Sequence, residues 1–185
     1  MRKLALAFSL LASPALATGL QIEVAGEGAN GTITVDLFED VAPNHVAQIT
    51  ALAEGGEYDN VVFHRVIDGF MAQTGDVQFG DASEGNFDMR RAGTGGSSLG
   101  TLGAEFSDRS FERGVVGMAR SASPDSANSQ FFIMFAPAPH LNGQYTVVGE
   151  VTEGMDVVDA IKRGGGRNGS VVGAPDRMVS VRVTD

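Results

Sequence analysis

The chain has 185 residues and a formal net charge of -10, and its excess of acidic over basic side chains argues against nucleic acid as a partner and against stable association with anionic membranes. It contains no cysteine, which excludes a disulfide framework and a lipid-attachment site. Its length suits one domain able to bury a core without covalent staples.

Residues 1–17 open on Met1-Arg2-Lys3, continue through the apolar run Leu4 to Leu11 and close on Ala15-Leu16-Ala17, the layout of a secretory signal peptide whose cleavage leaves Thr18 first. A membrane anchor fits less well, because Pro14 interrupts a run already short of the roughly 20 residues a spanning helix needs. Loss of Arg2 and Lys3 takes the formal charge from -10 to -12. The expected mature chain, 18–185, is a single soluble, monomeric domain in an exported compartment. The short leader favours the periplasm, with secretion as the alternative.

In chain order, Gln21 to Val24 and Thr32 to Leu37 are β-type runs joined by the turn-forming stretch Gly26 to Gly31, a hairpin with a loose loop. Pro43 to Glu54 takes helical spacing, with Val46, Ile49 and Leu52 or Ala53 on one stripe and Gly55-Gly56 at its end. Short β-type runs follow at Val61 to Val66, Val115 to Ala119, Gln130 to Phe135 and Thr146 to Val151, separated by Gly-rich connections in the rhythm of a barrel or a sandwich. The connection Gly75 to Ser107 is too long for a hairpin loop, and loops of that length are usually functional or packed on themselves. Met155 to Lys162 returns to helical spacing, with Met155, Val158 and Ile161 or Ala160 inward, and Arg177 to Val183 alternates as a last strand.

Two of these strands carry chemistry. Alternation sends Val62, His64 and Val66 to one face and Val61, Phe63 and Arg65 to the other. In the later strand Gln130, Phe132 and Met134 share one face and Phe131, Ile133 and Phe135 the other. Both faces of that strand are apolar, so one can fill a core while the second is either covered or left as a binding groove. His45, early on the first helix, reads as solvated, and His64 as a satisfied interior histidine. Three scattered histidines and no cysteine give no metal-ligand spacing, and no cofactor is implied.

The stretch Phe63 to Asp76, F-H-R-V-I-D-G-F-M-A-Q-T-G-D, resembles the arginine-bearing signature of the cyclophilins, the cyclosporin-type peptidyl-prolyl cis-trans isomerases. Gly93-Thr94-Gly95-Gly96 and Ser129-Gln130-Phe131-Phe132-Ile133 extend the resemblance in the same order. It implies a mainly β fold, a closed eight-stranded antiparallel barrel capped by two helices. It also implies rotation about Xaa-Pro bonds without a covalent intermediate, in unfolded or partly folded proline-containing polypeptides. By this similarity Arg65 is the catalytic residue. Phe70, Met71, Phe132 and Leu141 match the proline pocket, with Phe132 at its floor. Gln73 matches a carboxamide that contacts the substrate backbone and helps orient the arginine, and Gln130 a groove residue. Ala119 and Arg120 match the segment that aligns the residues before proline through backbone hydrogen bonds.

The chain departs from that pattern at three places. Arg120 stands where asparagine is common, and its side chain is expected to point to solvent. His140 occupies the place of the tryptophan important for cyclosporin binding in many eukaryotic members, and Tyr145 that of a common histidine, so drug sensitivity is not expected. Tyr145 retains an aromatic edge and a hydroxyl for the pocket.

Two other functions compete. Gly96-Ser97-Ser98-Leu99-Gly100 fits the G-x-S-x-G elbow of serine hydrolases, with Ser98 as nucleophile, but its glycine-rich flanks read as loop where the elbow needs a strand before and a helix after. A groove that grips cis, trans and twisted proline segments equally would be a chaperone or adaptor with little catalysis.

Overall fold

The computed structural model describes residues 18–83 and 87–184; the expected signal peptide lies outside the described residues. Eight strands form one antiparallel sheet: β1 (Gly19–Ala25), β2 (Gly31–Leu37), β3 (Arg65–Ile67), β4 (Met71–Thr74), β5 (Val115–Met118), β6 (Phe131–Met134), β7 (Val147–Glu153) and β8 (Arg177–Thr184). Their order is β3-β4-β6-β5-β7-β2-β1-β8. The sheet curls until its ends meet, because Met178 N–H donates to the Val61 carbonyl and Phe63 N–H to the Asp176 carbonyl, each at 2.9 Å. This joins the approach to β3 with the start of β8 and satisfies backbone groups that two open edges would leave bare.

The hairpin β1–β2 forms as its pattern predicts, pairing Gly19 with Asp36 through to Val24 with Gly31. Its connecting loop is not loose. The buried Asp176 carboxylate accepts from Gly28 N–H, Ala29 N–H and Lys162 N–H, which ties the loop to the end of the second helix.

Helix α1 (Pro43–Glu54) buries Val46, Ile49, Leu52 and Ala53 and packs against β8. Pro43 suits a first helical position, where no N–H is needed. His45 is fully buried rather than solvated. Its Nδ1 lies 2.5 Å from Glu105, and the same carboxylate accepts from Asn44 and His45 backbone N–H groups at 3.1 and 3.0 Å. A side chain 60 residues away thus caps this helix, since Ala42 offers no capping group. Burial pushes the Glu105 pKa up, but the hydrogen bonds from His45 and Asn44 outweigh it and hold the carboxyl below its ordinary value.

Helix α2 is shorter than its spacing predicts, Met155–Ala160, and packs against β2. It buries Val157 and Val158, with Ile161 buried just beyond its end and Met155 and Ala160 more open. The run Val61 to Val66 is only partly strand: β3 begins at Arg65, and Val61 and Val62 make isolated bridges to Asp81 and Arg177. β4 is an eighth strand that periodicity does not reveal.

Alternate rows of the sheet feed two cores. Val66, Ala72, Ile133 and Val116 pair in turn across β3, β4, β6 and β5 and all point into the barrel interior, joined there by Phe131 and Phe135. The next row runs Arg65, Gln73, Phe132, Gly117 and Val147 across β3, β4, β6, β5 and β7. Directly opposed residues share a face, so this row looks outward. A smaller apolar cluster of Phe38, Met71, Phe111, Phe132, Met134 and Leu141 lies on that outer side.

Candidate functional site

The outward row builds a pocket of about 150 Å³ lined by Arg65, Phe70, Met71, Gln73, Ala119, Arg120, Phe132, Leu141 and Tyr145. Its floor is hydrophobic because β6 is apolar and buried on both faces, the outer one packing with Phe111, Met71 and Leu141. Phe132 stacks on Phe111 with centroids 5.8 Å apart and meets Tyr145 edge-on at 6.0 Å. Met71 and Leu141 complete the apolar wall. Met134, on the same face, is wholly buried beneath the pocket and does not line it.

The wall also depends on a residue without a side chain. A Cβ on Gly117 would fall 2.5 Å from Phe111 Cε1 and 2.7 Å from Phe132 Cζ, so the two stacked rings occupy the space that any other residue would need. Neither Gly117 nor Phe111 is identifiable from its local sequence, since the first sits in an ordinary strand and the second in a loop.

Arg65 is half-buried and stands opposite Gln73 in the β3–β4 pair. The strands are joined by a turn in which Gly69 takes φ +67° and Phe70 N–H donates to the Ile67 carbonyl, so the cation and the carboxamide face each other. Arg65 Nε donates to the Asn168 carbonyl at 3.0 Å and Nη1 to Gln73 Oε1 at 3.1 Å. Among the described residues no acceptor lies within hydrogen-bond reach of Nη2, and no carboxylate pairs with the guanidinium. Burial lowers its pKa, with the nearby Tyr145 opposing, and a guanidinium so placed remains a cation at neutral pH.

A second, more polar hollow of about 220 Å³ shares Gln73, Ala119 and Arg120 with the first and continues past Gly93, Thr94, Gly95, Asn128 and Gln130. The two make one groove, apolar at one end and carboxamide-lined in the middle. Gln130 is the junction, donating to the Gly95 carbonyl at 2.8 Å while its Oε1 accepts from Gln73 at 2.9 Å. Ser129, beside it, donates to the Gly75 carbonyl, and Tyr58 donates to the Ser129 carbonyl, which fixes the start of β6.

Ten of the eleven expected site residues thus line this groove, and the eleventh, His140, is exposed at its rim, stacked on Phe70 at 5.7 Å. Arg120 does not extend into solvent. Its guanidinium lies 4.3 Å from the centroid of the Tyr145 ring and donates to the Gln144 carbonyl through Nε and Nη2 at 3.1 and 3.0 Å. A cation–π contact and carbonyl bonds to the adjoining peptide hold the side chain against the pocket's back wall.

His64 is interior, as its strand face implies, but neither ring nitrogen has a hydrogen-bond partner. Burial pushes its pKa down to about 4, partly offset by the Asp76 carboxylate. The imidazole is therefore neutral at pH 7 and packs behind the groove wall against Gly93, where a Cβ would lie 2.8 Å from its Cδ2. Ser98 is exposed in a turn with no strand before it and no helix after it, so the hydrolase elbow has no structural counterpart.

A family model described as cyclophilin type peptidyl-prolyl cis-trans isomerase/CLD matches residues 20–183. A protein of Brucella suis biovar 1 (strain 1330) named "Probable peptidyl-prolyl cis-trans isomerase" is 56% identical over 154 residues, covering 83% of this chain and 78% of that protein. The crystal structure of a Cryptosporidium parvum cyclophilin type peptidyl-prolyl cis-trans isomerase in the presence of dipeptide Ala-Pro superimposes with a TM-score of 0.72, at 23% identity, over 90% of this chain and 99% of that one. The cyclophilin AquaCyp293 of Hirschia baltica gives a TM-score of 0.68 at 25% identity, over 88% of this chain and 72% of that one.

Proposed function

The chain belongs to the cyclophilin-type peptidyl-prolyl cis-trans isomerases, and we propose that it accelerates Xaa-Pro rotation in unfolded or partly folded exported polypeptides, with Arg65 as the catalytic donor. The observation that carries this assignment is the guanidinium on the pocket wall, held through Nε and Nη1 while Nη2 has no acceptor among the described residues.

The planar amide is held by resonance, and rotation out of plane costs roughly 18 to 20 kcal/mol. A catalyst must favour the twisted bond over both planar isomers. The apolar pocket formed by Phe70, Met71, Phe132 and Leu141 seats the pyrrolidine ring. As conjugation breaks, the electron pair returns to the prolyl nitrogen, which becomes a hydrogen-bond acceptor that neither planar isomer offers. Arg65 donates to it there without giving up a proton, so the bond is made only in the transition state. No covalent bond forms or breaks. Gln73 and Gln130 supply carboxamides to the substrate backbone, and Ala119 a backbone edge for the residues before proline. The Cryptosporidium structure obtained with Ala-Pro fits a groove for proline-containing segments.

The layout of residues 1–17 supports export and action in the periplasm on newly delivered chains.

Cis-to-trans conversion of an Ala-Pro peptide at low temperature tests the activity, and binding of the same peptide tests the groove. The mature protein is expected to accelerate conversion, and Phe132→Ala to weaken binding by about tenfold through loss of the pocket floor. Tight binding without acceleration across a panel of Xaa-Pro peptides would identify a chaperone or adaptor instead.

A further inference from the structure

We propose that Asp76 is a positioning residue for Arg65, acting from the far end of a hydrogen-bond relay that runs through Gln73, Gln130 and Gly95. The proposal rests on the reading of Arg65 as the catalytic donor. Every link points the same way. Arg65 Nη1 donates to Gln73 Oε1 at 3.1 Å, Gln73 Nε2 to Gln130 Oε1 at 2.9 Å, and Gln130 Nε2 to the Gly95 carbonyl at 2.8 Å. Gly95 N–H then donates to Asp76 Oδ2 at 2.9 Å. A cation stands at one end and a fully buried carboxylate at the other; the two glutamine carboxamides are aligned head to tail, and Gly95 links them to Asp76 mechanically, through two adjacent peptide groups.

The sense of such a chain propagates. Each glutamine has one carbonyl and one amino group to offer, so turning either around sets oxygen against oxygen or amino group against amino group at both its neighbours. The sense is set at both ends, by a guanidinium that can only donate and a Gly95 carbonyl that can only accept, and what Asp76 adds is the place of that carbonyl. Asp76 Oδ1 accepts from Gln78 and Phe79 N–H groups at 3.1 and 3.0 Å and its Oδ2 from Gly93 and Gly95 N–H groups at 2.7 and 2.9 Å. Four backbone donors on one carboxylate draw two separate parts of the long connection onto the end of β4. The approach leaves no room for a side chain at 95, where a Cβ would lie 2.5 Å from Asp76 Oδ1. The Gly95 carbonyl is thereby held as a fixed acceptor for Gln130, and the two flexible glutamine side chains inherit their orientation from it. Without that acceptor the Gln130 carboxamide is free to turn, Gln73 follows, and Arg65 loses the partner that keeps Nη2 on the pocket wall.

The test is a kinetic cycle. Asp76→Asn keeps the side-chain shape but sets an amino group against one pair of backbone donors. It is expected to lower kcat about tenfold with KM within about twofold, because an aim used only in the transition state is lost. In a Gln130→Met background, where the relay is already cut, Asp76→Asn is expected to cost no further kcat. Equal losses in the two backgrounds would refute the relay while leaving the isomerase reading intact, whereas absence of turnover in the unaltered protein would refute that reading itself. If Asp76→Asn does not fold, NMR of the unaltered protein decides the matter. The relay requires a through-hydrogen-bond coupling between Gln130 Nε2–H and the Gly95 carbonyl carbon, and averaged, rapidly exchanging Gln73 and Gln130 amino protons would overturn it.

Discussion

Arg65 owes its usefulness to an incomplete set of partners. A lone arginine on a strand edge would ordinarily lay its stem along apolar surface and its head in water. Here the Asn168 carbonyl and Gln73 take Nε and Nη1, and the groove takes the rest. Its neighbours Gln73 and Phe132 were legible from the family signature, whereas alternation grouped Arg65 with Val61 and Phe63, which lie in the interior core because the strand begins only at Arg65. The partners of Arg120 and His45 were not: Tyr145 lies 25 residues from the first and Glu105 60 residues from the second, and local pattern carries no signal for contacts at that range. His64 adds a consequence for acid stability. Its folded pKa of about 4 lies below the unfolded 6.5, so the unfolded chain binds the extra proton between those values. Its contribution is fully present above pH 6.5 and is lost as pH falls toward 4, by about 3 kcal/mol. Urea midpoints measured from pH 7 to 4.5 are expected to fall for the native protein and to stay flatter for His64→Leu. Parallel slopes in the two proteins would show that His64 is not the responsible group.

At the scale of elements, the site is one row of a sheet. Arg65 and Gln73 from one hairpin and Gly117 and Phe132 from two later strands are adjacent in register, and the row puts donor, carboxamide and pocket floor on one outward face. β6 was readable because its two apolar faces demand two separate coverings. β4 was not, because Met71-Ala72-Gln73-Thr74 is four residues long with Thr74 its sole β-branched member, and it is nearly all buried, which erases the alternation that marks a half-exposed strand. The role of Gly117 follows only from the rings beside it. Gly117→Ala is expected to destabilise the fold by about 1 to 3 kcal/mol through overpacking and to push Phe132 into the pocket. Thermal unfolding and Ala-Pro peptide affinity read the two effects separately. A variant as stable as the parent with unchanged affinity would mean that the Phe111–Phe132 stack has slack that its geometry does not suggest.

Across the whole molecule, the closed sheet is what makes so small a site stiff. The bonds between Val61, Phe63 and the start of β8 hold β3 from one side, β4 holds it from the other, and the segment around Asn168 and Ser170 lies along it. The barrel and its two helices were foreseeable from strand rhythm together with the family resemblance. The long connection was foreseeable only as a feature of interest, because its described part is held by scattered polar contacts, Asp76 with Gln78, Phe79, Gly93 and Gly95 and Asn128 with Ser97 and Gly100, and by no helix or numbered strand of its own. The central claim is that this frame presents Arg65 to a bound prolyl bond as a donor used only during rotation. The most direct test is exchange NMR of a saturating Ala-Pro peptide with the mature protein and with Arg65→Ala, measuring interconversion and affinity in the same samples. The account predicts acceleration by the first, a loss of at least about a hundredfold in the second, and peptide affinity changed by no more than a few fold. Near-normal interconversion by Arg65→Ala would contradict it.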